Sequence, residues 1–243
     1  MSVARVIDGG ADVLILCDHA SSTVPADIDL GIDPALLSKH IAVDIGAAAV
    51  SEALATLLDA PAILATVSRL VIDLNREPDR HGLIPDVSDG HAIHGNGTID
   101  RAERIARFHA PYHRLIAATI RARRPGLLLS IHSFTPRLEQ HDGNDRPWEI
   151  GILYNRDARA ARIGIGLLEA AGVVTGDNEP YSGRILNATM NRHAEGNGIP
   201  YLGIEIRNDL IGDPAGVAHW AQLLAGIVKE ARNRLAQTGP LAT

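Results

Sequence analysis

Leu127-Leu128-Leu129-Ser130-Ile131-His132-Ser133 is the stretch that decides the fold class. Residues 127–131 form an apolar run broken only by Ser130, without alternation. Both faces of such a strand must meet apolar neighbours, as in a parallel sheet covered by helices on each side. Similar runs stand at 13–17, 62–65, 70–74, 150–154 and 201–206. Between them the apolar residues follow a helical stripe. Over 34–58 it passes through Leu36, Leu37, Ile41, Ile45, Val50, Leu54 and Leu57. The segment 99–122 reads the same way and opens with Asp100 as N-cap and Glu103 three residues on. Further helices are expected over 157–171, 184–194 and 213–235. Strands alternating with helices predict an α/β layered fold on a mainly parallel sheet. No Pro/Gly/Ser linker and no internal repeat interrupts the chain, so residues 1–243 are expected to form one domain.

Composition narrows the function classes. The chain of 243 residues carries 23 Lys+Arg against 29 Asp+Glu, a net charge of −6. A mildly acidic surface repels phosphate backbones, and nucleic acid is not an expected partner. The densest basic run, Arg121-Ala122-Arg123-Arg124, falls at a helix end, where cations favour the negative pole of the dipole. No apolar stretch reaches the roughly 20 residues that span a bilayer, so no membrane partner is expected. Residues 1–12 lack the basic and apolar segments of a secretory signal. A cytoplasmic location is expected. Cys17 is the single cysteine, which excludes an internal disulfide and a cysteine-rich zinc cluster. Aromatic residues make up only 3%, so the core must be aliphatic.

Two segments, 77–96 and 135–147, are rich in Pro and Gly and carry no helical period. Long irregular loops in compact folds are usually functional, and ligands of α/β sheets sit beyond the carboxyl ends of strands. The unusual polar residues collect at those ends. Asp18-His19 follows the first run, Asp73-Leu74-Asn75-Arg76 closes another, His132-Ser133 follows a third, and Glu205 with Arg207 lies in the last. Each has an ordinary reading as a structural histidine or a plain ion pair. That reading gives no reason for all of them to occupy equivalent strand ends. Two histidines and a carboxylate on one rim form the ligand set of a catalytic zinc site with an open position, and a further carboxylate nearby can act as general base.

The segments Cys17-Asp18-His19-Ala20-Ser21, Ser68-Arg69-Leu70-Val71-Ile72-Asp73-Leu74-Asn75-Arg76, Ser130-Ile131-His132-Ser133-Phe134-Thr135-Pro136, Asn178-Glu179-Pro180-Tyr181 and Glu205-Ile206-Arg207-Asn208-Asp209 carry a wider likeness. In order, and over nearly the whole chain, they resemble the N-formylglutamate amidohydrolase family. The resemblance implies a three-layer α/β/α sandwich on a mixed, mainly parallel sheet, similar to zinc-dependent exopeptidases and other phosphorylase/hydrolase-like folds. It also implies hydrolysis of the amide of an N-formyl or other N-acyl amino acid such as N-formylglutamate, with one zinc or other divalent ion.

A more distant similarity to metallocarboxypeptidases, which show a histidine, Asp-x-Asn-Arg, Ile-His-Ser and Glu-Leu-Arg in the same order, implies individual roles. By it His19 and His132 look like metal ligands, and Asp73 like the carboxylate that orients a ligand imidazole. Asn75 and Arg76 look like the clamp on the substrate's free carboxylate and Glu205 like the base; in the mechanism this suggests, Arg69 is expected to help the cation stabilise the oxyanion. Ser133, Arg207 and Tyr181 are expected to touch substrate, with a Glu205–Arg207 ion pair as the alternative for Arg207. The pattern's third ligand, three residues after the first histidine, is replaced here by Ser22. Asp44, on an apolar helix face beside Ile41, Val43 and Ile45, is the candidate in its place, with Asp18 and Cys17 as alternatives.

Other signals are set aside. His109 and His113 have the spacing of a helical metal motif but enclose Pro111 and lack the accompanying Glu, so they are assigned to structure or a site wall. His91 and His94 are assigned to a solvated loop. Gly164-Ile165-Gly166 lies in a helical pattern and does not follow a strand, and no Gly-x-Ser-x-Gly elbow exists. Two competing readings remain open: a cysteine amidase using Cys17 with His19, and a metal-free carboxylate-binding or regulatory module of the same fold.

Overall fold

The computed structural model describes residues 2–97, 99–139 and 145–237. Its strands and helices run β1 (Ala4–Ile7), β2 (Val13–Cys17), α1 (Ala47–Leu58), β3 (Ala62–Ala65), β4 (Val87–Ser88), β5 (His91–Ala92), α2 (Arg101–Arg104), α3 (Ala110–Arg123), β6 (Leu127–Phe134), β7 (Ile150–Leu153), α4 (Arg159–Ala170), β8 (Thr175–Asp177), α5 (Ala188–His193), β9 (Tyr201–Arg207) and α6 (Pro214–Gln237). Among the described residues, seven strands form one mixed sheet in the order β1-β3-β2-β6-β9-β7-β8. The central four, β3, β2, β6 and β9, are parallel. The edges reverse: β1 is antiparallel to β3, and β7 is antiparallel to β9. This is the expected three-layer α/β/α sandwich.

The sheet is apolar on both faces. Every residue of β2 and of β6 is buried, and Leu14, Ile15, Leu16, Ile63, Leu128 and Leu129 are among the most deeply enclosed. Right-handed crossovers determine the layers. From β2 the chain crosses through α1 to β3 on one side, then returns through α3 to β6 on the other. The connections leave in opposite senses, so their helices cover opposite faces. α1, α4 and α6 pack together, and α3 packs on α5. No described helix is long and apolar enough to cross a membrane.

Three sequence expectations need correction. The run 70–74 is not a strand. Leu70, Val71, Ile72 and Leu74 are buried, but the backbone turns on Ser68, and side chains take its carbonyls. Asn96 Nδ2 donates to the Leu70 carbonyl and Arg104 Nη1 to that of Val71. The stripe over 34–58 is not one helix either. A short 3-10 helix, Pro34–Ser38, is followed by turns before α1 begins. Gly46 stands at the N-cap with φ +80°, and any Cβ there would collide with the Ile211 carbonyl. A left-handed residue that admits no side chain sets where the helix begins, which the apolar pattern alone does not. Asp44 therefore lies in the turn before α1. The segment 99–122 is helical but contains a wider π turn, Ile105–His109, just before Pro111, whose missing N–H cannot serve an ordinary helical turn.

A group of buried histidines lies between α3 and α5. His113 Nε2 is 2.9 Å from the Leu74 carbonyl, and His113 Nδ1 is 2.8 Å from His193 Nε2. A carbonyl only accepts, so His113 Nε2 carries the hydrogen and Nδ1 accepts from His193. Burial, joined by the neighbouring His109, pushes His113 down to about 3. Burial and the nearby Arg192 push His193 down to about 4. The unfolded chain binds protons near pH 6.5 that the folded one refuses. The stabilisation is therefore complete above that pH and is lost as pH falls towards 4, by roughly 1.5–2 kcal/mol per histidine between pH 6.5 and 5. His193→Gln, which keeps a donor but cannot titrate, is expected to remove its share of that slope in urea denaturation series run from pH 5 to 7.

Candidate active site

The strand order reverses between β2 and β6, and the crevice at their carboxyl ends is where an open α/β sheet accepts ligands. β2 ends at Cys17 and delivers Asp18 and His19 to that crevice, while β6 carries His132 and Ser133 into it. Glu205 on β9 stands directly across from His132 in register, with Gly151 of β7 on its other side. The turns 68–76 add Arg69, Asp73, Asn75 and Arg76, and the turn before α1 adds Asp44. All of these but Cys17, Asp18 and Gly151 line a cavity of about 200 Å3, the size of an amino-acid derivative and smaller than the usual ligand pocket.

Asp44 is the centre. Its Oδ2 lies 2.7 Å from His132 Nδ1 and 3.3 Å from His19 Nδ1. One ligand atom from each of His19, Asp44 and His132 falls within 4.8 Å of the others, the only such group of three or more metal-binding side chains among the described residues. Behind them each imidazole has a carboxylate on its far nitrogen. Asp73 Oδ1 is 2.7 Å from His19 Nε2, and Asp18 Oδ2 is 3.5 Å from His132 Nε2, with Asp18 Oδ1 accepting from Tyr112 at 2.8 Å. At His19 the Asp73 carboxylate fixes the tautomer so that the inner nitrogen can ligate, whereas Asp18 Oδ2 and His132 Nε2 stand at ion-pair distance without a hydrogen bond.

The electrostatics say that this centre favours positive charge. Burial alone would push both imidazoles down, yet Asp18 and Asp44 hold His132 well above its ordinary value, and Asp44 and Asp73 hold His19 above it against burial and Arg69. Burial likewise raises the aspartates, but His19, His132 and Arg69 outweigh it and keep Asp44 well below the usual carboxylate range. Asp73 is lowered in the same way by His19, Arg69 and Arg76. A site that binds protons this tightly through His/Asp/His donors is chemically suited to a divalent cation that displaces them.

Glu205 is different. Burial pushes it up to about 7, with Asp44 adding and His132 opposing. Its Oε2 is buried without a hydrogen-bond partner among the described residues.

The sequence of the family described as N-formylglutamate amidohydrolase matches residues 11–212. The chain belongs to that family. The gene product Atu2144 from Agrobacterium tumefaciens is 32% identical and superposes with a TM-score of 0.92, covering 97% of each chain. The N-formylglutamate amidohydrolase from Ralstonia eutropha JMP134 is 19% identical, with a TM-score of 0.76 over 98% of this chain and 100% of that one, and so shares its fold. No curated protein sequence matches the chain. Membership makes this a hydrolase of the amidohydrolase type.

The structure brings His19, Asp44, His132, Asp73, Glu205, Arg69, Asn75, Arg76, Tyr181 and Ser133 around one cavity. Arg207 is not among its walls. It pairs with Asp209 at 2.8 Å, which also answers the alternative of a Glu205–Arg207 pair. Arg69 is engaged by two carboxylates, donating to Asp44 Oδ1 at 3.1 Å and Asp73 Oδ2 at 3.2 Å. Ser133 Oγ donates to the Ile45 carbonyl, which anchors the Asp44 turn to β6. Cys17 is fully buried, and burial with Asp44 pushes its thiol up, so it has neither the access nor the acidity of a nucleophile. Ser22 lies outside the cavity. Residues 140–144 of the second loop lie outside the described residues.

Sequence reasoning missed Asp18 as the carboxylate behind His132, having weighed it only as a ligand, and missed Tyr112 and His40 altogether. Asp18 was legible, since a carboxylate beside a strand-end histidine must find a cation or a donor. Tyr112 was not, because its contact joins residues 94 positions apart. Tyr181 reaches the cavity through glycines. A Cβ on Gly151 would collide with the Glu179 carbonyl, and one on Gly176 would come within 2.5 Å of it. The 178–181 turn thus rests on the backbone of β7 and β8.

Removing Arg69 leaves two buried carboxylates undercompensated. Arg69→Met is expected to destabilise the metal-free protein by about 3 kcal/mol, the usual range for breaking a buried ion pair, as read by urea denaturation at neutral pH.

Proposed function

We propose that the protein is a divalent-cation-dependent, most simply zinc-dependent, amidohydrolase that cleaves the amide of an N-formyl amino acid such as N-formylglutamate, giving formate and the free amino acid. The observation that carries this reading is Glu205. A buried carboxyl near neutrality, one oxygen unpartnered, faces a two-histidine, one-carboxylate centre in a cavity sized for an amino acid.

His19, Asp44 and His132 fit a cation by donor chemistry and by the carboxylates behind both imidazoles, and they would hold it. When bound, such an ion supplies Lewis acidity, which acidifies water and polarises a carbonyl. The remaining steps belong to the chain. Asn75 and Arg76 receive the substrate's free carboxylate. Arg76 uses Nε on Asp73, at 3.1 Å, which leaves its terminal nitrogens for a bidentate grip. Glu205 takes a proton from the attacking water as the C–O bond forms. The N–H groups of Arg69 not engaged by Asp44 and Asp73 face the developing oxyanion. Glu205 then returns the proton to the amine as the C–N bond breaks. A group poised near neutrality serves both directions well. Tyr181 covers the cavity, its hydroxyl accepting from Arg146 at 3.0 Å.

The alternative, a metal-free binding module, predicts carboxylate binding without turnover. Three measurements decide between them. Zinc titration is expected to show one site per chain, weakened a hundredfold or more in Asp44→Asn. Chelation is expected to abolish formate release from N-formylglutamate. Glu205→Gln is expected to retain zinc while losing at least a thousandfold in kcat; full activity in that variant would remove Glu205 from the reaction.

A further inference from the structure

The geometry points to three buried imidazoles, His109, His113 and His193, as the positioning device for the Asn75–Arg76 carboxylate clamp. The inference rests on the functional reading above for what the clamp binds, but the observations are independent of it. None of the three lines the cavity, and each is only 2% exposed. They hold the clamp from behind.

The clamp lies in a segment with no strand partner, so its carbonyls must be satisfied by side chains. His113 Nε2 donates to the Leu74 carbonyl and His109 Nε2 to the Arg76 carbonyl, each at 2.9 Å. The two carbonyls that flank Asn75 are therefore both held by one face of the helical run, from residues one turn apart, with ring centroids 4.2 Å apart. This explains the histidine pair at helical spacing that lacks the other features of a metal motif: its ligands are two backbone oxygens.

His193 completes the chain. Its Nε2 donates to His113 Nδ1 at 2.8 Å, and the planes of the two rings are inclined by only 13°. That bond leaves His113 a single tautomer, the one that can donate to Leu74. From the same helix, α5, the Thr189 backbone N–H donates to Asn75 Oδ1 at 3.0 Å. The amide oxygen of Asn75 is thereby taken, and the end left for the cavity is its NH2, a donor suited to a carboxylate. α5 thus sets Asn75 twice, through its side chain directly and through its backbone by way of His113. Small displacements of a substrate-orienting group lose binding and rate steeply, so loosening this brace should act on recognition of the carboxylate.

The test compares an N-formyl amino acid with the same compound carrying a primary amide in place of its carboxylate, in the zinc-loaded protein. His193→Leu removes the donor to His113. It is expected to raise KM for the acid tenfold or more, to change kcat less than twofold, and to leave kcat/KM for the amide unchanged. His193→Gln, which keeps a donor, is expected to restore KM. Hydrogen exchange supplies a readout free of turnover. In His193→Leu the Asn75 and Arg76 amides should exchange at least tenfold faster, while β2 and β6 keep their protection. His109→Leu, which releases only the Arg76 carbonyl, repeats both measurements if His193→Leu does not fold. Equal losses on acid and amide, or unchanged exchange at 75–76 in a folded variant, would overturn the positioning role. A wild-type protein that hydrolyses neither compound would instead overturn the functional reading, and exchange alone would then decide the brace.

Discussion

Three carboxylates, Asp18, Asp44 and Asp73, are buried around two imidazoles, and the structure is organised by the need to balance them. Each is less than 5% exposed. An isolated buried charge costs several kcal/mol, so every element near the crevice contributes a donor or a cation. The turns 68–76 exist to bring Arg69 and Arg76 onto Asp73, and Arg69 also onto Asp44. Tyr112 crosses from α3 to Asp18. The compensation is incomplete at the centre, where the imidazoles bind protons more tightly than in water.

That constraint also explains what was legible in the sequence. The strands at 13–17, 62–65 and 127–131 were readable because a fold buried on both faces forces continuous apolar runs. The run 70–74 is equally apolar, for a different reason. It is buried beneath the site as irregular chain, and only the side chains of Asn96, Arg104 and His113, far along the sequence, distinguish it from a strand. The break before α1 was hidden because one glycine at positive φ, fitted against Ile211, leaves the apolar stripe intact. β1 and β8 are short edge strands with exposed residues, Val6 in the first and Asp177 in the second, and they carry too little burial to leave a pattern.

The site was more legible than its frame. Rare polar residues at strand ends had no ordinary explanation as a set, and the parallel sheet brings those ends together. His19, His132 and Glu205 followed from that alone, whereas the 73–76 cluster, expected at the end of a strand, reaches the cavity from irregular turns. Asp44 followed from its apolar neighbours, although its supposed helix did not form. Arg207 misled because alternate residues of a strand share a face. Glu205 does reach the cavity, whereas Arg207, at the last position of β9, turns to Asp209. Asp18 and the histidine brace escaped because their partners are tertiary.

The two glycines under the 178–181 turn have a consequence for how such a cavity changes shape over evolutionary time. Because Gly151 and Gly176 seat the Glu179 carbonyl directly on sheet backbone, the roof carrying Tyr181 is fixed to the same strand that flanks Glu205. New side chains cannot be inserted beneath it without disturbing the base. Changes in the shape of the cavity are therefore channelled to the side where His40 and the 87–92 hairpin, outside the seven-stranded sheet, meet Tyr181 and Arg69.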